Sequence, residues 1–169
     1  RSTPKPSSAA SDLYKRQGQT HPADGNAGML VTSRETAKRV SARPEVEIRL
    51  LGFGLARTEV AYMPQAPVPA AARALERAEA KFSDVDLVTT HNPFAIYDVL
   101  FTRETGVPLE RMNRHGCSLI WGHPQGPTGL RAIIELIEGL TEAGGGLGLF
   151  TGCAAGDTAM SVVLEVSDA

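Results

Sequence analysis

The sequence predicts one α/β domain in which helices cover both faces of a β-sheet. Segments with the composition of β-strands alternate with segments of helical periodicity from about residue 24 onward, and this alternation is typical of layered α/β folds. With 169 residues, 42% of them hydrophobic and 21% charged, the chain is long enough to bury one core and has the composition of a globular protein.

The first half of the chain contains two predicted strands, each followed by a predicted helix. Residues 28–32 form a short apolar run, and Ser33 after them is a suitable N-cap for a helix that continues through Val40. Residues 46–55 alternate loosely and then become apolar, which predicts the second strand. Apolar residues recur at helical spacing from 69 to 82, so this helix is expected to turn an apolar stripe toward the core.

The second half contains the clearest predicted helix, residues 128–143, whose apolar stripe ends at the glycine run 144–146. A small polar turn, residues 152–158, favours a hairpin between the two apolar runs that flank it. The other predicted elements of this half are short: strands at 85–90 and 117–120, a helix at 94–105, and the hairpin strands at 147–151 and 160–166.

Residues 1–22 differ from the rest because their beginning combines prolines and serines with few apolar side chains. This composition predicts a linker or flexible arm, with an ordinary frayed terminus as the equal alternative. The folded domain is therefore assigned to residues 23–169.

Charge and composition argue against several classes of partner. The formal net charge of -2 gives no electrostatic basis for binding nucleic acid or a membrane surface, and no apolar run reaches the roughly 20 residues of a membrane helix. The sequence opens with no signal peptide and ends without a peroxisomal address. Two cysteines are too few for a disulfide framework. We therefore expect a cytoplasmic protein with neither nucleic acid nor membrane as a partner.

His123 lies in an irregular segment rich in glycine and proline, residues 122–129, immediately before the clearest helix. At a helix N-terminus the dipole disfavours the protonated imidazole, so this position predicts a neutral histidine that can act as a base. The alternative is a histidine held by hydrogen bonds within a tight turn.

Cys153 lies among small residues between two predicted strands, where a ligand can approach the backbone and N–H groups can face an oxyanion. A thiol beside a base can perform acid–base or nucleophilic chemistry, and a buried structural cysteine is the common alternative.

His91 ends a predicted strand, where catalytic groups often lie in α/β sheets, and a capping role is equally compatible. Cys117 is predicted to be a core residue. No metal site is predicted, since neither a Cys-x-x-Cys pair nor a helical histidine pair occurs among His91, Cys117, His123 and Cys153.

Three sequence blocks together resemble the thiolase family in order and spacing. The block Asn113-Arg114-His115-Gly116, followed by Gly122-His123-Pro124 with Gly126 and Gly129, resembles the family's Asn-x-x-Gly…Gly-His-Pro-x-Gly-x-x-Gly. The block Thr151-Gly152-Cys153-Ala154-Ala155-Gly156 resembles its final Cys-x-Gly block, and His91-Asn92-Pro93-Phe94-Ala95 stands where most thiolases have Asn-Glu-Ala-Phe-Ala. Residues 24–28 resemble the family's Asn-Asp-Gly-Ala-Ala stretch, so the resemblance extends from about residue 20 to the end. It implies a thiolase-like layered fold with a mixed sheet.

The resemblance implies roles for five residues. His123 would take the proton of a nucleophilic cysteine that then becomes acylated, and Cys153 would move the proton at the α-carbon of the second acyl-CoA. His91 replaces the usual asparagine that holds a water in the first oxyanion hole, a variant that resembles the sterol-carrier-protein type of thiolase. The backbone N–H of Ala155, where glycine is usual, would serve a second oxyanion hole. Phe94 would line the pantetheine tunnel.

The resemblance also implies a function that needs a second half. Thiolases are more than twice as long, and their acylated cysteine lies in an N-terminal half without a counterpart in this sequence. We therefore expect the C-terminal half of an acyl-CoA C-acyltransferase of fatty acid metabolism, which condenses or thiolytically cleaves 3-ketoacyl-CoA only together with an N-terminal half. Residues 23–45 are a candidate for the end of that half. Cys153 argues against a ketosynthase, which lacks a second cysteine at this place.

The expected partners follow from the same resemblance. They are acyl-CoA or CoA and an N-terminal thiolase half or partner subunit, within a homo- or hetero-oligomer. The coenzyme A thioester is a substrate, and no cofactor is expected. The alternative is a non-catalytic subunit that binds acyl-CoA or assembles a thiolase-like complex.

Overall fold

A computed structural model of the protein describes residues 18–168. The strands are β1 (Val46–Arg57), β2 (Leu87–His91), β3 (Gly145–Ala154) and β4 (Thr158–Asp168). The helices are α1 (Arg34–Val40), α2 (Pro67–Arg77), α3 (Ile96–Thr105), α4 (Ser118–Trp121) and α5 (Thr128–Glu142), and short 3-10 turns cover Met63–Gln65, Phe82–Asp84 and Leu109–Arg111. Residues 1–17 of the predicted arm lie outside the described residues.

The four strands form one mixed sheet in the order β1-β4-β3-β2. Strand β4 is antiparallel to both β1 and β3, whereas β2 and β3 are parallel. The chain between β2 and β3 includes α5, as the crossover between parallel strands requires. Because β2 and β3 are parallel, their carboxyl ends lie at the same edge of the sheet, and this edge carries the candidate site.

Helices cover both faces of the sheet, as predicted. Neighbouring residues of a strand point to opposite faces, and on β2, β3 and β4 they join different core clusters. One cluster packs beneath α2 and contains Ala74, Leu75, Val88, Leu149 and Val163. The other packs beneath α5 and contains Leu87, Leu136, Leu140, Phe150 and Leu164. The three-layered α/β arrangement is therefore confirmed.

Helix α2 approaches β1 so closely that the strand needs glycine at the contact. A Cβ at Gly54 would lie 2.1 Å from the carbonyl oxygen of Ala70, and one at Gly52 would lie 2.5 Å from that of Ala74. Helix α2 itself contributes fully buried alanines to this contact. Small side chains on both elements thus set the separation between the helix and the edge strand.

Most predicted elements are confirmed to within a few residues, and two predicted strands are not. Ser33 caps α1 as expected, with its side chain accepting a bond from the Thr36 N–H at 3.4 Å. Residues 28–32 form no strand and pair with no other segment of the described chain, and Leu30 and Val31 remain 70% and 66% exposed. An apolar run becomes a strand only when a sheet edge is available to it.

The strand predicted at 117–120 is wrong, because this segment forms the helical turn α4. The N–H groups of Ile120 and Trp121 both donate to the carbonyl of Cys117. Gly116 and Gly122 on either side have φ values of 109° and 87°, which side chains other than glycine rarely adopt. Two sharp turns so close together leave no room for an extended strand.

One part of the sheet carries apolar side chains that the described chain leaves exposed. On β1 these are Ile48, Leu50, Phe53 and Leu55, and on β4 Met160, with exposed fractions from 44% to 57%. Their register partners on β4 belong to the face that α5 covers only in part. Within residues 18–168, no helix is both long and apolar enough to cross a membrane.

Candidate active site

The candidate site begins where β2 and β3 end side by side. His91 is the last residue of β2, and its register partner on β3 is Gly152. A Cβ at Gly152 would lie 3.0 Å from the Cβ of His91, so a larger residue here would displace the histidine. Cys153 follows Gly152 directly. The sheet therefore brings His91 and the final cysteine block to one edge.

His123 reaches the same edge from the loop that precedes α5. Its ring stacks on that of His91, with ring centroids 4.3 Å apart and an angle of 28° between the planes. The two histidines are 32 positions apart in the sequence, and the packing of α5 against β2 and β3 brings their loops to the same edge.

The hydrogen bonds of His123 define which ring nitrogen is free. Its Nδ1 lies 2.9 Å from the Thr128 hydroxyl oxygen, and that hydroxyl donates to the carbonyl of Pro124 at 2.7 Å. Because the Thr128 proton is used in this second bond, the oxygen accepts from His123, and we assign the proton to Nδ1. The Nε2 atom then carries the lone pair that a base needs.

Both imidazoles are held neutral. Burial, the neighbouring His123 and the positive Arg131 lower the pKa of His91 to about 4. Burial also lowers the pKa of His123. A half-buried stacked pair cannot easily accept two protons, because the two charges would repel at short distance in a poorly solvated site.

Arg131, on the first turns of α5, provides the fixed positive charge near His91. Its Nη1 bonds to Glu135 one turn further along the helix. The Nε and Nη2 atoms are buried and have no hydrogen-bond partner within residues 18–168. Burial raises the pKa of Glu135, while Arg131 opposes this shift.

A buried polar network holds the carboxyl end of β2 in place. Asp98 accepts hydrogen bonds from Thr90 at 2.7 Å, from Asn113 at 3.1 Å and from Asn92. The Asn113 side chain also accepts a hydrogen bond from the Thr90 N–H at 2.8 Å. It thus provides the acceptor that a neighbouring strand would provide, because β2 lies at the edge of the sheet. Burial raises the pKa of Asp98, and these hydrogen bonds counteract that rise. The network holds the residues immediately before and after His91.

Cys153 lies near Tyr97, an aromatic side chain of α3. The Phe94 and Tyr97 rings stack with centroids 6.2 Å apart, and the Tyr97 hydroxyl lies near enough to the Cys153 thiol for each to influence the other's pKa. That hydroxyl is buried and has no hydrogen-bond partner among the described residues. Burial raises the pKa of the Cys153 thiol, which is therefore protonated at neutral pH.

The remaining predicted site residues lie at the rim of this edge. Ala155 is exposed in the turn between β3 and β4, and the left-handed backbone positions of that turn belong to Gly156 and Asp157 instead. Phe94 is 42% exposed.

Cys117, predicted to lie in the core, is only half-buried at the start of α4. No group of three potential metal ligands occurs within residues 18–168.

A comparison with known protein families identifies the family of this chain. The family model described as "Thiolase, C-terminal domain" matches residues 45–166. The chain belongs to the thiolase family. The matched range begins just before β1 and includes every strand of the sheet together with His91, His123 and Cys153.

Curated thiolases are similar over most of this chain but are much longer. It is 34% identical over 146 residues to a 3-ketoacyl-CoA thiolase of Aeromonas salmonicida, which covers 85% of this chain and 37% of the relative. It is 33% identical to a probable acetyl-CoA acyltransferase of Staphylococcus aureus, over 84% of this chain and 35% of the relative. The chain thus spans little more than a third of the curated relatives that it matches.

A solved thiolase has the same fold. The crystal structure of the Acat5 thiolase from Ascaris suum in complex with coenzyme A superposes with a TM-score of 0.66 at 23% identity. The superposition covers 70% of this chain and 30% of that one.

Several residues of this thiolase site were not predicted from the sequence as site residues. Asn113 belongs to the recognised Asn-x-x-Gly block, and its network with Asp98 explains why an amide is needed there. Tyr97 follows Phe94 by three positions, a spacing that puts both on one side of a helical turn. Arg131 carries no local signal beyond its place after the glycine-rich segment. The roles assigned to His91, His123, Cys153, Ala155 and Phe94 stay predictions.

Proposed function

We propose that this chain is the C-terminal half of a thiolase-type acyl-CoA C-acyltransferase, which carries out Claisen condensation or thiolytic cleavage of 3-ketoacyl-CoA. It acts only with an N-terminal half that supplies a nucleophilic cysteine, carried by a longer form of the same polypeptide or by a second one. The observation that carries the proposal is the stack of His91 on His123 at the shared edge of β2 and β3.

In the cleavage direction, His123 activates the nucleophile of the other half. Its free Nε2 takes the thiol proton, and the resulting thiolate attacks the 3-keto carbon of the substrate. The neutral state of His123 supports this role, since a protonated imidazole accepts no proton. The hydrogen bond that His123 Nδ1 donates to the Thr128 hydroxyl supports it as well, because it fixes the ring orientation.

Cys153 then handles the proton at the carbon–carbon bond. As this bond breaks, its electron pair passes to the α-carbon of the leaving acyl-CoA. This carbon is protonated by the Cys153 thiol, and the acyl-CoA leaves the site. CoA releases the acyl group from the nucleophile as a new thioester and leaves its own thiol proton behind, which restores Cys153. The nucleophile departs as a thiolate and takes back the proton that His123 holds, which restores the other two groups. The raised pKa of Cys153 supports this role because it keeps the proton on the thiol until a carbanion develops.

The other predicted residues are proposed to stabilise and bind the thioester. His91 is proposed to donate a hydrogen bond in the first oxyanion hole, and its neutral ring has one N–H available for this purpose. The Ala155 backbone N–H is proposed to serve the second hole, and exposed Phe94 to contact the pantetheine arm. The neighbour solved in complex with coenzyme A supports a coenzyme A thioester as the substrate class.

A coupled assay tests the split site. The purified chain is incubated with acetoacetyl-CoA and CoA, alone and mixed with a thiolase N-terminal half that carries the nucleophilic cysteine. We expect CoA-dependent loss of acetoacetyl-CoA only in the mixture, because the chain alone has no group to acylate. Turnover by the chain alone would contradict the proposal.

The two cysteines of the chain provide a matched pair of variants. In the active mixture, Cys153→Ala should abolish exchange of the α-proton of acetyl-CoA with deuterated solvent while acylation of the partner continues. Cys117→Ala should leave both steps unchanged, since Cys117 lies at the start of α4. Loss of acylation in Cys153→Ala would assign this thiol a different role.

A non-catalytic assembly or acyl-CoA-binding subunit is the second candidate. The observation that favours it is the exposed apolar surface of β1, which a partner could cover without any chemistry. It predicts that the chain binds acetyl-CoA or a thiolase half in calorimetry while no combination turns over substrate. Turnover by the wild-type mixture that is lost in the His123→Ala mixture would contradict this candidate.

A further inference from the structure

Residues 18–23, which we call the strap, run between the two loops that carry the stacked histidines. On one side, Ala95 donates to the carbonyl of Gly18 at 2.7 Å and Thr20 donates to the carbonyl of Pro93 at 2.9 Å. Gln19 between them forms an antiparallel bridge with Phe94. The strap therefore extends the loop after β2 like a short added strand.

The other side of the strap pairs with the loop before α5. His123 donates its backbone N–H to the carbonyl of His21 at 2.8 Å. Pro22 forms a parallel bridge with His123 itself. Consecutive strap residues, Thr20 and His21, thus bond to two loops that are distant in sequence.

We propose that the strap is a positioning element of the candidate active site, which holds the His91 and His123 rings in their stack by bonding to both loops at once. Adjacent residues have Cα atoms about 3.8 Å apart across a rigid peptide unit. The hydrogen bonds that Thr20 donates to Pro93 and that His123 donates to His21 therefore limit how far the loops can separate. The proposal concerns the same site as the proposed function, but its first test does not depend on turnover.

The side-chain contacts of the two rings are insufficient to explain this arrangement. His91 has one long contact, 3.4 Å from its Nδ1 to the Ser118 hydroxyl, and His123 bonds to Thr128 within its own loop. Neither contact ties one histidine loop to the other. The stack itself adds little, because two aromatic rings attract each other weakly compared with a set of backbone hydrogen bonds.

Gly122 is the place where the strap lies closest to the His123 loop. A Cβ here would lie 2.6 Å from the Cβ of Ala23 and 3.0 Å from the Nε2 of His21. The strap thus occupies the space that only a glycine leaves open. Gly144, with a similar φ of 83°, has nothing within 4 Å of its Cβ position and provides the matched control, because alanine there meets the same backbone strain without any contact.

The test compares Thr20→Pro with Thr20→Val in the full chain. Proline removes the N–H that bonds to Pro93, whereas valine keeps the N–H and replaces only the hydroxyl. The imidazole signals of His91 and His123 are followed by NMR between about pH 3 and pH 8, and contacts between the two rings are recorded. The titratable and charged groups near His91 that affect its titration are His123, Arg131 and Glu135, the ion-pair partner of Arg131.

We expect Thr20→Pro to weaken the ring–ring contacts and to move the titration of His91 by about one pH unit toward its ordinary value, because the ring becomes more solvated. Thr20→Val should titrate like the wild type. Unchanged titration and unchanged ring contacts in a folded Thr20→Pro chain would overturn the proposal.

A second pair of variants covers the case in which Thr20→Pro does not fold. Gly122→Ala should shift the His91 titration in the same direction, and Gly144→Ala, which has a similar φ but no neighbouring strap, should not. If Gly122→Ala folds and leaves the stack intact, the strap is not what holds it. In the active mixture, loss of the strap bond should lower kcat by about 10- to 100-fold with little change in KM. A shifted titration without activity in any mixture would refute the proposed function and leave the positioning role intact.

Discussion

Replacing His91 by asparagine should change how the stability of this domain depends on pH. The pKa of His91 is lowered from 6.5 to about 4, with burial as the largest cause. Between these values the unfolded chain binds a proton that the folded chain excludes. Acidification through this window therefore lowers the free energy of unfolding, and the loss is complete below about pH 4. Asparagine, the usual thiolase residue here, has no proton to exclude.

The expected size of the effect follows from the pKa difference. At about 1.4 kcal/mol per unit, the shift from 6.5 to about 4 corresponds to at most about 3.5 kcal/mol. The ring keeps part of its exposure to water, so solvent screening reduces the effect to about 1–3 kcal/mol. Burial also raises the pKa values of Asp98 and Glu135, and a raised carboxyl pKa favours the folded state on acidification. Comparing the variant with the wild type cancels most of this opposing contribution.

Urea unfolding followed by circular dichroism, from about pH 7 to about pH 4, measures the difference. We expect the wild type to lose about 1–3 kcal/mol more than His91→Asn over this range. His115→Asn is the control, since the partly exposed His115 pairs with Glu142 and is not a member of the stack, and it should lose as much as the wild type does. Equal losses in His91→Asn and the wild type would refute the assignment of a neutral, excluded proton to His91.

Three further variants test the fold that positions the site. Gly54→Ala should destabilise the domain by about 3 kcal/mol or more in urea unfolding, because its Cβ would lie 2.1 Å from the Ala70 carbonyl oxygen. Its control is Gly28→Ala, which has nothing within 4 Å of its Cβ position and should change stability by less than about 0.5 kcal/mol. Asn113→Ala should cost about 2–4 kcal/mol and shift the NMR signals of the β2 end, since it removes three hydrogen bonds at a residue with φ of 48°; a cost below about 1 kcal/mol would show that the network is not needed. Leu136→Ala should cost about 2–5 kcal/mol by thermal or urea unfolding, because this side chain is 0% exposed between α5 and the sheet; a cost below about 1 kcal/mol would place it outside the core.

Regular elements with strong local patterns were predictable from the sequence. The stripe of α5 repeats every three to four residues, and β3 and β4 are separated by a glycine-rich polar turn, so each pattern determines its own secondary structure. The prediction for residues 28–32 shows the limit of this reasoning. Their apolar run is compatible with a strand, but pairing depends on a sheet edge that no local pattern encodes.

The candidate site was predictable as a set of residue types and unpredictable as a geometry. The blocks around His91, His123 and Cys153 could be recognised because they occur in order within the sequence. Their contacts could not, and the outcome differs among them. His91 and His123 stack, whereas the described contacts of Cys153 involve Tyr97, which no block singled out.

The sequence by itself determined the α/β class, the residues available for proton transfer and the resemblance to thiolases, since all three depend on local periodicity and short motifs. Tertiary structure decided the order β1-β4-β3-β2, the parallel pairing that aligns His91 with Gly152, and the clamping of two distant loops by residues 18–23. These features join segments that are far apart in the chain, and their formation depends on the packing of α2 and α5 against opposite faces of the sheet. The neutral state of the histidine pair belongs to the same category, because burial is a property of the folded molecule and not of any residue alone.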